Sequence, residues 1–171
     1  RGVIIMRIVI NAGHTKLGVG TGAKKYLTES IETRKIAYEI MKLLADSNHE
    51  VIPAVFDANS DNLNAAVKLS NSSKADLFIS IHLNAGGGKG CEAFTYKGAK
   101  HRQAVNACKN LSKLGFINRG VKDGTHLYVV RLTTAIAILI EVCFVDNVLD
   151  ADIYNKVGVN KIAKAIYDAI V

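Results

Sequence analysis

Hydrophobic residues along this chain fall into two kinds of pattern. Short apolar runs, several rich in Ile and Val without strict alternation, recur at residues 3–10, 51–56, 77–81, 92–96, 127–130 and 135–140. Runs of this kind predict strands covered on both faces, as in a parallel sheet. Between them the spacing becomes helical. Ile36, Ile40, Leu43 and Leu44 form one stripe, Leu63, Ala66, Val67 and Ser70 a second, residues 100–114 a third, and Ile162, Ala165, Ile166 and Ala169 a fourth. Thr28 stands at the N-cap position of the first helix, with Glu29 and Glu32 near its positive end. The order β-α-β-α-β-β-α-β-β-α predicts an α/β fold: one domain with a mostly parallel, twisted sheet flanked by helices on both faces.

Composition supports a single domain over residues 1–171. The chain is 49% hydrophobic, has one proline, and shows neither a linker nor a repeat, so it can form one core without disulfide staples. Cys91, Cys108 and Cys143 are odd in number and lack a Cys-x-x-Cys pair; they are expected to be reduced and buried. Lys and Arg exceed Asp and Glu by 22 to 15, a net charge of +7 that suits an anionic partner or surface. Aromatics make up 6% and Trp is absent, which argues against a stacking platform for nucleic acid. No apolar run approaches the roughly 18 residues that would cross a bilayer. The opening residues are too short an apolar stretch for a signal peptide, and Met6 is a candidate natural start, residues 1–5 then being an added extension.

In an open α/β sheet, ligands gather beyond the carboxyl ends of the strands, so polar residues directly after apolar runs carry the candidate chemistry. Three places qualify: Asn11-Ala-Gly-His14 after the first run, His82-Leu-Asn-Ala after the third, and Glu141-Val-Cys-Phe at the end of the last. Imidazole nitrogen and carboxylate oxygen are both good zinc ligands. A single histidine beside a strand is more often hydrogen-bonded scaffold. Glu141 is harder to dismiss, because an acid between Ile138-Leu-Ile and Val142-Cys-Phe needs a cation, a partner or a raised pKa.

Other signals are weaker. Gly18-Val-Gly-Thr-Gly22 fits neither phosphate-binding glycine motif and reads as a flexible loop bordering the site, and Gly86-Gly-Gly-Lys-Gly90 as a mobile loop beside the cleft. His49 and His101 read as surface residues near helix ends, His126 as a residue near the cleft, and Glu92 as a solvated carboxylate.

Asn11-Ala-Gly-His14, Glu29 opening a long helix, Ser-Ile-His82-Leu-Asn-Ala, and Leu-Ile-Glu141-Val-Cys-Phe-Val-Asp-Asn147 occur in an order that resembles the zinc-dependent N-acetylmuramoyl-L-alanine amidases of bacterial autolysins and phage endolysins. The segment Asn118-Arg-Gly-Val-Lys-Asp-Gly-Thr-His-Leu-Tyr-Val-Val-Arg131 adds to the likeness, which spans roughly residues 6 to 170. The resemblance implies a peptidoglycan hydrolase with one Zn²⁺ held by His14, Glu29 and His82, a water in the fourth place, and Glu141 as the catalytic carboxylate. Glu32, one turn after Glu29, competes for the ligand role, but in the family pattern the ligand precedes the apolar stripe. Asn84 and Arg119 become candidates for substrate contact. The implied substrate is bacterial peptidoglycan, with anionic wall polymers as a further partner and the wall, outside the cytoplasm, as the place of action. Another zinc peptidase or deacylase of the same geometry, or a non-catalytic basic wall-binding module, is the alternative. Asn11-Ala12 in place of Asp-Pro, Ile136 in place of Pro and Cys143 in place of Gly depart from the family pattern.

Overall fold

The computed structural model describes residues 5–58 and 61–171. Its elements are β1 (Arg7–Ala12), α1 (Glu29–Asp46), β2 (Glu50–Ala54), α2 (Asn62–Ser72), β3 (Leu77–Asn84), β4 (Cys91–Thr95), a short 3-10 turn (Tyr96–Gly98), α3 (Arg102–Lys113), β5 (Asn118–Asp123), α4 (Tyr128–Leu132), β6 (Ile136–Phe144), α5 (Val148–Val157) and α6 (Val159–Ile170). The six strands form one sheet in the order β2-β1-β3-β6-β4-β5. The first four in that order are mutually parallel; β4 runs antiparallel to β6 and parallel to β5. This is the expected single α/β domain with a mostly parallel sheet.

Alternation along the strands divides the core in two. Ile8, Ile10, Leu77, Ile79, Ile81, Ile138 and Ile140 pack with Ile36, Ile40 and Leu44 of α1, Leu111 of α3, and Ile162 and Ile166 of α6. Val9, Phe78, Ala137 and Leu139 pack on the other face with Ala66 and Val67 of α2 and Val129 and Val130 of α4. Both faces are therefore covered, which explains why the central strands read as unbroken apolar runs. Among the described residues no helix is long and apolar enough to cross a membrane.

The sequence pattern misplaced some elements. Residues 127–130 are not a strand: Leu127 precedes α4, whose Val129 and Val130 are buried. Four apolar residues are too few for their period to separate helix from strand. The strand lies instead at β5, whose Asn118-Arg-Gly-Val-Lys-Asp sequence at the sheet edge is too polar to signal itself. The predicted C-terminal stripe lies on α6, while α5, which had no predicted counterpart, precedes it, with Gly158 at φ 81° between them. Asn147 opens the first of these by accepting hydrogen bonds from Leu149 N and Asp150 N. Thr28 does hold the N-cap position of α1, but its side chain makes no capping bond. Of the expected first strand at 3–10, residues 3 and 4 lie outside the described residues, and the strand itself runs Arg7–Ala12.

Candidate metal centre

Three elements deliver the candidate ligands to one point. His14 follows β1, Glu29 is the first residue of α1, and His82 lies near the carboxyl end of β3. Their donor atoms all lie within 4.8 Å of one another, and among the described residues this is one group that could hold a metal ion. Glu29 Oε1 is 3.1 Å from His14 Nε2 and 3.2 Å from His82 Nδ1. The two imidazoles meet edge to face with ring centroids 5.0 Å apart. Glu32 is elsewhere: its carboxylate accepts from Tyr154 Oη at 2.8 Å and pairs with Lys35.

His14 and Glu29 are also fixed from outside the cluster. His14 Nδ1 lies 3.0 Å from Gly20 O, which leaves Nε2 to face Glu29. Glu29 is buried and accepts from Leu83 N at 3.1 Å through Oε1 and from Ala23 N at 2.9 Å through Oε2. Close backbone approach completes the pocket. A Cβ built on Gly22, at φ 76°, would lie 2.6 Å from Glu29 Oε2 and 2.8 Å from His14 Cδ2, and one on Gly13 would lie 2.4 Å from the His82 ring. The glycine loop is thus part of the site wall, and it is tied back by Gly20 O accepting from Thr15 N and by Thr15 Oγ1 donating to Val19 O.

The electrostatics follow from this packing. Burial opposes ionisation of Glu29, but hydrogen bonds to His14 and His82 outweigh it and hold the carboxyl below its usual range. Burial also opposes charge on His14, yet the Glu29 bond and charge raise its pKa. His82 is the reverse case: burial prevails over Glu29 and favours the neutral ring, the form that binds a metal. Two imidazoles and one ionised carboxylate, with His14 and Glu29 each oriented by a further hydrogen bond, are a donor set of the kind found in catalytic zinc sites, and the residues present fit such an ion.

Glu141 stands beside this cluster. It pairs with His82 in the β3–β6 ladder and with Glu92 in the β4–β6 ladder. Its Oε2 is buried with no hydrogen-bond partner. Burial, then the charges of Glu29 and Glu92, push its pKa up to about 8.

Several sequence expectations change here. Glu92 is not solvated but buried, accepting from Asn84 Nδ2 at 2.7 Å, from Arg119 Nε at 2.7 Å, and from Lys122. Burial alone would raise its pKa; those two cations lower it instead. Asn84 and Arg119, the candidates for substrate contact, meet on this carboxylate, and the Arg119 guanidinium lies over the Phe144 ring. The loop from Gly86 to Gly90 is pinned rather than mobile: Asp146 accepts from Gly86 N and Gly87 N, Asn147 donates to Gly88 O, and Asp150 accepts from Gly90 N. The three cysteines are free and buried, as expected. Cys143 belongs to the core cluster that packs against α1, α3 and α6. His49 accepts from Met6 N, His101 precedes α3, and exposed His126 packs edge-on against Phe94. Arg34, which bonds the backbone at His14, had no sequence signal at all, since an arginine inside an amphipathic helix reads as a solvated residue.

A groove of about 840 Å³ is lined by residues such as Tyr38, Met41, Val51 and Val159, none of them in the cluster.

The chain is similar to known proteins in sequence and in fold. An uncharacterised protein of Clostridium perfringens is 35% identical over 96% of this chain and 51% of its own length. The N-acetylmuramoyl-L-alanine amidase CwlM of Bacillus licheniformis is 31% identical over 86% of this chain and 60% of its own length. The chain thus spans about half to three fifths of these relatives. Among solved structures, the catalytic domain of the CD27L endolysin targeting Clostridia difficile superposes with a TM-score of 0.87 at 30% identity, covering 96% of both chains. The family described as N-acetylmuramoyl-L-alanine amidase, which is zinc-dependent, matches residues 8–171, and this chain belongs to it.

Proposed function

We propose that this chain is the catalytic domain of a zinc-dependent peptidoglycan hydrolase, cutting the amide between N-acetylmuramic acid and the L-alanine of the stem peptide. The observation that supports this most is the pairing of a His14–Glu29–His82 donor cluster with Glu141 one strand away, whose buried Oε2 has no hydrogen-bond partner. Family membership supports it in turn.

In this reading His14 Nε2, Glu29 Oε1 and His82 Nδ1 hold the ion. Bound zinc supplies a water whose pKa falls towards about 7 and a Lewis acid for the carbonyl of the scissile amide. Glu141 takes the proton of the attacking water and returns it to the departing L-alanine nitrogen. Its unpartnered Oε2 leaves the carboxylate free for that exchange. Burial first, then the charges of Glu29 and Glu92, push its pKa up to about 8 without the ion, and a cation held by the cluster would favour the charged form. The substrate is bacterial wall outside the cytoplasm, and the net charge of +7 suits a wall bearing anionic polymers.

Digestion of purified peptidoglycan by the zinc-loaded chain tests this reading. New L-alanine amino termini and free muramic lactyl groups, both abolished by chelator, are expected. Cleavage confined to bonds within the stem peptide would assign a zinc peptidase instead. Wall binding without cleavage, indifferent to Glu141→Ala, would assign a binding module.

A further inference from the structure

We propose that Arg34 and Asp57 form a clamp that sets the metal affinity of the cluster by fixing His14 in place, an inference that rests on the zinc reading above. His14 is the ligand that the backbone resists. It lies at φ 66°, in the left-handed region that residues bearing a Cβ avoid. His82, by contrast, is held within the β3–β6 ladder. The sheet supports the first segment as far as Gly13, whose N–H donates to Ile81 O at 2.9 Å.

Beyond that point Arg34 takes over. Its Nη2 donates to His14 O at 3.1 Å and to Phe56 O at 2.8 Å, its Nη1 to Ser30 O at 2.7 Å, and its Nε to Asp57 Oδ1 at 2.9 Å. Asp57 closes the other side: its backbone carbonyl accepts from Lys16 N at 2.9 Å and Leu17 N at 2.8 Å. The same two residues thus hold the chain at His14 and again two and three residues later.

The arrangement couples two ligands through one rigid body. Arg34 is on α1, five residues after Glu29, so the helix that presents the carboxylate also carries the group that grips the His14 carbonyl. The Arg34 side chain is 8% exposed and the Asp57 side chain 60%. The buried guanidinium is therefore matched chiefly by three backbone carbonyls and one partly solvated carboxylate. Only the planar fork of arginine spans acceptors placed in this way; a lysine ammonium would reach some of them and lose the rest. Without the fork, His14 is released to the more populated backbone region and Nε2 leaves the cluster. Arg34 and Asp57 are positioning residues in this account.

Zinc affinity measured by competition against a chromophoric chelator tests the clamp, with Co²⁺ absorption as a readout of ligand geometry. The wild-type chain is expected to take up one zinc. Arg34→Met should weaken it by about 10–100-fold, as loss of an outer-shell partner typically does, and should alter the Co²⁺ spectrum. Arg34→Lys should recover part of the loss. Leu44→Ala, a fully buried truncation in the same helix, should lower Tm without weakening zinc. Wild-type affinity in Arg34→Met overturns the clamp, as does an equal loss in Leu44→Ala. Should Arg34→Met fail to fold, Arg34→Lys and Asp57→Asn carry the test, and unchanged affinity in both overturns it. A wild-type chain that takes up no zinc overturns the zinc reading and the clamp with it.

Discussion

His82 and Glu141 are direct partners in the parallel ladder between β3 and β6, with Glu92 facing Glu141 from the antiparallel β4. Three titratable side chains therefore form one row across the sheet. The register slips immediately afterwards, between His82 and Asn84, where β6 carries one extra residue before Phe144 pairs with Asn84. The bulge ends regular pairing just beyond the row, as bulges often do beside functional sites. A strand position thus fixes Glu141 beside a ligand it does not touch by hydrogen bond.

If Glu141 carries the proton, Glu141→Gln keeps its shape and loses the function. Amide hydrolysis should fall by about 10²–10⁴-fold, the usual worth of a positioned acid–base group. Zinc content should stay at the wild-type level, because Glu141 is not among the three ligands. A rate within tenfold of wild type would remove Glu141 from the reaction.

The same substitution makes a second, independent prediction about stability in the metal-free chain. Burial and the charges of Glu29 and Glu92 raise the Glu141 pKa from 4.5 to about 8 in the folded state. Below the lower value the carboxyl is protonated in both states and its titration favours neither. As pH climbs from there towards the upper value, the unfolded state loses its proton first and the folded state is progressively disfavoured, by a few kcal/mol at most. Glu141→Gln removes this penalty. Its Tm should match wild type near pH 4.5, rise above it as the pH approaches 8, and stay above it by a constant margin beyond. A gap that is independent of pH would show that Glu141 titrates normally.

The legible part of this protein was its buried part. Ile8-Val-Ile and Leu77-Phe-Ile-Ser-Ile announced central strands because both faces are covered, and the polar residues that follow them marked the ends where His14, His82 and Glu141 sit. Glu29 needed the family resemblance, since an acid in the first turn of a helix is ordinary for electrostatic reasons alone. Glu92 was misread because a carboxylate at the start of an apolar run reads as solvated, while the two cations that stabilise it come from β5, an edge strand too polar to show a pattern. Gly22 was placed in a loop bordering the site, but Arg34 was invisible for another reason: its role depends on backbone atoms of distant residues, which carry no side-chain signature.

Gly22 gives a discriminating pair of variants. It has φ 76°, and an added Cβ would lie 2.6 Å from Glu29 Oε2. Gly18 has φ 78°, with open space around the added atom. Both Ala substitutions incur left-handed strain of about 1 kcal/mol. Only Gly22→Ala should also displace the Glu29 carboxylate and His14, abolishing zinc uptake in a competition titration. Equal zinc affinity in the two variants would show that the loop does not wall the cluster.

Asp150 tests how firmly the far side of the cleft is held. It is fully buried, and its Oδ2 accepts from Gly90 N at 2.7 Å and from Phe144 N at 2.9 Å, joining the glycine loop after β3 to the end of β6. Gly88 reinforces the junction, since a Cβ there would lie 2.3 Å from the Phe144 ring. Asp150→Ala strips both N–H groups of their acceptor, and each buried orphan costs about 1–3 kcal/mol. The expected loss is therefore about 2–6 kcal/mol, read as a lower urea midpoint at unchanged slope. Asp150→Asn keeps one acceptor oxygen and should lose less than half as much. Coincident midpoints for Asp150→Ala and wild type would mean that the loop is held by Asp146 and Asn147 alone, through Gly86, Gly87 and Gly88.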